Sequence, residues 1–201
     1  MALAVLALAA TYRPPWYSPA AVDHARLPAD KRELVNLLDR IGESLNNGRA
    51  ASFELRAEQV QRWLVARTEI WPEAAIDLGP LRDPLVTFEG GQIRVGATLE
   101  LRGVRAVLSA TCRVEVREGI VLIRHASVRL GALPVPRAWV ARLVAGLPPA
   151  GQTAIAAHDP GVIALANDWT WPNGRRRYRL REFQVSDGSV KVTLEPLATK
   201  R

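Results

Sequence analysis

The strongest constraint on this chain is the alternation of apolar and polar residues between Leu85 and Leu130. In Gln92–Arg102, Ile93, Val95, Ala97, Leu99 and Leu101 share one parity, while Gln92, Arg94, Thr98, Glu100 and Arg102 take the other. Val104–Val116 repeats the pattern, with Ala106, Leu108, Ala110, Cys112, Val114 and Val116 against Ser109, Thr111, Arg113 and Glu115. After Arg117-Glu118-Gly119, Ile120, Leu122, Ala126, Val128 and Leu130 stay in phase, and Arg124 interrupts that face. Successive side chains of a strand point to opposite faces, so these are half-buried strands. Strands of about ten residues reach about 33 Å. The pattern predicts a long, curved antiparallel meander with one apolar face that something must cover.

The flanking sequence supplies covers. Asp30–Asn47 carries Leu34, Leu37, Leu38, Ile41 and Leu45 at helical spacing, with Asp30 placed as N-cap and Gly48 as the stop. That stripe is a core face or a surface for a partner helix. Ser52–Arg56 reads as a short strand, and Ala57–Arg67 as a helix with Val60, Trp63 and Leu64 on one side. Gly90-Gly91 marks a hairpin turn. After Pro136 a helix carrying Trp139, Val140, Leu143 and Val144 is expected, and another over Ala150–Leu165. Tyr178–Val185 and Val190–Leu194 flank the turn Ser186-Asp187-Gly188-Ser189, with a bulge expected near Arg181-Glu182. The fold class is therefore α+β, an antiparallel meander wrapped around or packed on amphipathic helices and closed by a C-terminal hairpin. Residues 29–201 form a single domain.

Residues 1–28 stand apart. Met1–Ala10 is almost wholly apolar. It is too short to span a bilayer, which takes about twenty apolar residues, and it lacks the basic start of a signal peptide. It reads either as the distal half of a membrane anchor or as a frayed hydrophobic helix on the domain. Tyr12, Arg13, Trp16 and Tyr17 mix rings and a cation as at a membrane interface, which favours the first reading. Prolines then open a linker.

The formal net charge of +7 favours anionic partners without choosing among them. The lone Cys112 excludes an intrachain disulfide and reads as a buried hydrophobe. Asp23-His24 and His158-Asp159 lack the spacing that brings ligands to one metal. No nucleophile elbow, dinucleotide fingerprint or phosphate loop occurs, so no catalytic residue, metal or cofactor is expected. The run Asp168–Arg181 is richer. Trp169, Trp171 and Tyr178 beside Arg175, Arg176 and Arg177 suit a membrane surface or lipid headgroups; the plainer reading is a solvated turn with two packed tryptophans. Single-stranded nucleic acid would also stack on such rings, but an anchor argues against it.

Taken together, the strand and helix at Phe53–Arg67, the turns Glu89-Gly90-Gly91 and Glu118-Gly119, the run Leu130-Gly131-Ala132-Leu133-Pro134-Val135-Pro136 and the hairpin at Val185-Ser186-Asp187-Gly188 resemble a known arrangement. The chain resembles the YpmS-like family of N-terminally anchored extracytoplasmic proteins over roughly Phe53 to Leu194. Its layout is similar to that of the tubular lipid-binding superfamily. The resemblance implies a long curled sheet around a helix, enclosing an apolar groove, in a protein held at the cell envelope outside the cytoplasm. From the strands the groove would draw Leu99, Leu108, Leu122 and the lone charge Arg124. Its covers would be Trp63, Leu64, Trp139 and Leu143. The expected function is non-enzymatic binding of a lipid or other apolar small molecule. The alternative is an envelope scaffold with a filled core that binds a protein through Asp30–Asn47.

Overall fold

A computed structural model describes residues 8–72, 78–101, 103–136, 138–140, 154–155, 162–171 and 176–197. The leucine stripe forms α1 (Leu27–Asn46), with proline in its first turn and Gly48 at φ +70° beyond its end. Asp30 is not its cap: it lies inside the helix, and its buried carboxylate takes Arg62 Nε at 3.0 Å. β1 (Ala51–Arg56) and α2 (Ala57–Val65) follow, then a single turn α3 (Arg67–Ile70). The meander is β2 (Leu81–Glu89), β3 (Gln92–Leu101), β4 (Val104–Arg117) and β5 (Ile120–Leu130). Short strands β6 (Leu133–Pro134), β7 (Ala154–Ile155), β8 (Val162–Ala166) and β9 (Trp169–Thr170) lead to the hairpin β10 (Arg177–Ser186) and β11 (Ser189–Pro196).

The strands make two antiparallel sheets. One has the order β1-β11-β10-β9; the other runs β2-β3-β4-β5-β8-β7, with β6 also against β5. The C-terminal hairpin therefore lies in a different sheet from the meander, between β1 and β9. The helix expected over Ala150–Leu165 is corrected, because Val162–Ala166 is a strand pairing with β5. A short unbroken apolar run fits a strand covered on both faces as well as a buried helix, and periodicity alone does not separate them.

The core lies where the two sheets and α1 meet. Leu37, Ile41 and Leu45 of α1 pack with Val86 and Phe88 of β2, Val121 of β5, Leu180 of β10, and Val190, Val192 and Leu194 of β11. The stripe of α1 is thus spent on the core. Two amide side chains tie the layers. Gln61 of α2 lies along the free edge of β2, donating to Pro84 O at 2.7 Å and accepting from Val86 N at 3.0 Å. Asn167 does the same at the expected bulge in β10, donating to Leu180 O at 2.8 Å and accepting from Leu180 N at 2.7 Å. The hairpin tip also joins the meander, with Gly188 N donating to Phe88 O at 3.0 Å.

Candidate functional site

Cross-strand register assembles an apolar wall on the meander. Ala97 stands opposite Leu108, which stands opposite Leu130. Val95 stands opposite Ala110, and Ala110 opposite Val128; Leu99 stands opposite Ala106. All point to the side on which Phe88 and Val121 meet the second sheet. Near that sheet the face is filled by the protein's own core. Farther along it is only half covered: Leu99, Leu108, Ala110, Val128 and Leu130 are half-buried, and Val95 is 39% exposed.

A bulge in β5 decides who joins this wall. Thr111 pairs with Ser127 but Cys112 pairs with His125, leaving Ala126 unpaired. One extra residue reverses the parity of the strand. Val121 and Ile123 therefore share the face of Val128 and Leu130, opposite Val116 and Val114. Leu122 and Arg124 turn to the other side. This corrects the phase expected for Ile120, Leu122 and Arg124. Arg124 does not interrupt the apolar face; its Nε donates to Glu115 Oε1 at 2.8 Å at the surface. Leu122 is buried, but on the far face from Leu99 and Leu108.

The expected covers separate as well. Trp63 and Leu64 pack against the inter-sheet core. Trp139 lies in a helical turn, 64% exposed, so within the described residues it covers nothing; Leu143 lies outside them. Cys112 sits at the edge of the wall beside Ile93, and burial pushes its thiol up, which disfavours the reactive thiolate.

The Trp-Arg run is a packed corner. Trp169 and Trp171 each lie 5.7 Å from the Tyr178 ring, and all three join the core. Trp171 rests on Gly42 of α1, where any Cβ would come within 3.0 Å of its Nε1. Burial raises the Tyr178 phenol above its usual pKa. The arginines are used locally. Arg176 donates to Asn46 O at 3.1 Å, and Arg177 grips both carboxylate oxygens of Asp168, one at 2.9 Å. Arg175 lies outside the described residues. The rings expected at headgroup depth are thus half-buried against α1.

The N-terminal aromatics dock too. Tyr17, expected at a membrane interface, is 2% exposed; it donates to Asp83 O at 2.6 Å and contacts Thr98 Oγ1 at 2.9 Å. Asp83 sits in the bulge of β2 at φ +49°, and Tyr17 takes up the carbonyl that this bulge frees. No helix among the described residues is long and apolar enough to cross a membrane; residues 1–7 of the apolar run lie outside them.

A second concavity, of about 510 Å³, runs between α1 and β1, lined by Leu37, Arg40, Ser44, Ser52 and Glu54 among others. β1 is an edge strand. Ala57 N donates to Gly188 O, so by antiparallel alternation the peptide groups of Ser52 and Glu54 point away from β11 into this groove. Sequence reasoning missed Gln61, Asn167 and this edge. Amides inside an amphipathic pattern read as solvent-facing, and an edge exists only once strand order is known. Among the described residues, no three His, Cys, Asp or Glu side chains gather as for a metal ion.

The fold and its wall define an α+β protein of two antiparallel sheets with a half-covered apolar face. No family model, curated protein or solved structure matches the chain.

Proposed function

We propose that the protein is a non-enzymatic binding protein that takes a lipid chain or other apolar small molecule on the wall of β3, β4 and β5. The observation that carries this is the row Leu99, Val95, Leu108, Ala110, Val128 and Leu130, set around the buried Ala97, which faces the interior side yet is only partly covered. An acyl chain needs only shape and apolar area, and each buried methylene contributes about 0.8 kcal/mol. Such a chain finishes the cover that the core leaves incomplete. The resemblance to lipid-binding families and the apolar run at the N-terminus support a site of action at the cell envelope, outside the cytoplasm. The test is uptake of a fluorescent fatty acid by the purified chain, with native mass spectrometry for co-purified lipid. Val95→Asp places a carboxylate on the exposed part of the wall without opening the core, and uptake should fall roughly tenfold. If the unaltered protein carries no lipid and takes up none, the reading is wrong.

A second reading, a protein-interaction module, is favoured by the β1 groove. An extended peptide could pair with the outward groups of Ser52 and Glu54, adding a fifth strand to the four-stranded sheet. Its mark would be protection of those two amides from hydrogen exchange by a protein partner, in a chain that takes up no fatty acid. The expected contact through the apolar stripe of α1 is not proposed, since Leu37, Ile41 and Leu45 are already in the core.

A further inference from the structure

The opposite face of the meander carries buried Leu85, Val107 and Leu122 but is polar between them, and the N-terminal segment crosses it as a strap. Register sets Arg94, Thr111 and Ser127 in one row, and Gly96, Ser109 and Arg129 in the next. The strap is fixed at two points. Trp16 and Tyr17 lie over Gly96, where an added Cβ would come within 2.8 Å of Trp16. Ala9 lies over Gly131, and its carbonyl accepts from Ala132 N at 2.8 Å. Between these points a cleft of about 360 Å³ remains, with Tyr12, Arg94, Ser109, Thr111, Ser127 and Arg129 in its walls.

The chemistry of this cleft is one-sided. It holds two guanidiniums, the hydroxyls of Ser109, Thr111 and Ser127 and the Tyr12 phenol, with no carboxylate among its described lining residues. Arg94 meets Glu89 through Nη1 at 3.2 Å, and its guanidinium lies 5.2 Å from the Trp16 ring centre, which orients it. Arg129 has a weak bond, to Ala132 O at 3.4 Å. Among the described residues the hydroxyls of Ser109, Thr111 and Ser127 make no hydrogen bond, and their oxygens still reach solvent. Hydroxyls that the protein's own groups leave free can donate to a ligand. Hydroxyls and guanidiniums lining one cleft, with Glu89, the partner of Arg94, outside its walls, match a tetrahedral oxyanion.

The geometry points to a binding site for a phosphate group, held by Arg94, Arg129, Ser109, Thr111 and Ser127 beneath the strap. The phosphate belongs either to a soluble ion or ester or to a lipid headgroup. Leu8, on the strap just upstream, is 72% exposed, and Tyr12 at the mouth is 47% exposed; both are placed to touch acyl chains if the source is a membrane. The site lies across the sheet from the apolar wall, so it does not depend on the wall's ligand.

The full chain is titrated calorimetrically with inorganic phosphate, and sedimented with vesicles of phosphatidylglycerol or of phosphatidylcholine. The expected results are saturable phosphate binding and a roughly tenfold weakening in Arg129→Gln. Ser127→Asp, which puts a like charge in the cleft while leaving Arg94 stacked, should abolish binding. Val95→Asp on the other face should leave it unchanged. Phosphate binding without vesicle binding assigns a soluble source. Phosphatidylglycerol binding that is lost in both cleft variants and competed by phosphate assigns a lipid headgroup. Absence of binding to phosphate and to phosphatidylglycerol, or binding indifferent to both cleft variants, overturns the proposal.

Discussion

Replacing Gln61 by alanine removes both hydrogen bonds that close the free edge of β2. The carboxamide donates to Pro84 O at 2.7 Å and accepts from Val86 N at 3.0 Å, and the residue is 7% exposed. Pro84 lies in the bulge between Arg82 and Leu85, where the ladder to β3 is already broken. Without Gln61, one buried carbonyl and one buried amide lose their partners at about 1–3 kcal/mol each, so the loss should be about 2–6 kcal/mol. For a domain of this size, at about 2–4 °C per kcal/mol, that lowers Tm by roughly 4–24 °C. The assay is urea denaturation followed by far-UV circular dichroism, with the slope against denaturant checked to confirm a two-state transition. Gln61→Glu sharpens the test. The carboxylate still accepts from Val86 but opposes the Pro84 carbonyl, so burial holds its folded pKa above the unfolded value. Its stability is then present at low pH, where the protonated carboxyl donates as the amide did, and is lost as pH rises through the folded pKa. A loss under about 1 kcal/mol in Gln61→Ala, or no recovery of Gln61→Glu in acid, would refute the account of this edge.

Two further outcomes follow from buried polar contacts. Arg62→Ala strands the buried Asp30 carboxylate and should cost about 2–4 kcal/mol, while the double change Asp30→Leu with Arg62→Leu should cost less than the single one; a double variant less stable than Arg62→Ala contradicts this. The phenols of Tyr17 and Tyr178 are both raised above 10.0, chiefly by burial. The unfolded chain therefore releases these protons at a lower pH than the folded one. The stability they contribute is complete below the unfolded pKa and is lost as pH rises through the folded values. Tyr17→Phe should lower stability by about 1–2 kcal/mol at neutral pH and flatten the alkaline decline, as read from denaturation midpoints across the alkaline range.

Local signals in the sequence located most elements. Period-two alternation found β3 and β4, and leucine spacing found α1. Gly90-Gly91 and Asp187-Gly188 marked the two turns that the structure joins, with Gly90 N donating to Asp187 Oδ1 at 2.8 Å. The break in parity at Leu180 and Phe183 revealed the bulge in β10. The bulge at Ala126 escaped, because both parities of Ile120–Leu130 are apolar over part of their length. Either phase satisfied the pattern, and the wrong one put Arg124 on the wall.

The α+β class, the meander and its apolar wall were legible along the chain, since side-chain alternation and helical spacing are properties of consecutive residues. Which face each residue of β5 shows was settled by strand pairing, because parity there depends on the partner strand Thr111–Arg117. Long-range packing also put the Trp-Arg corner against α1, turned Gln61 and Asn167 inward, and laid the strap across the polar face. Aromatic and amide side chains are equally stable at a surface or, once paired, in an interior. Long-range neighbours choose between those states, and no window of adjacent residues contains them.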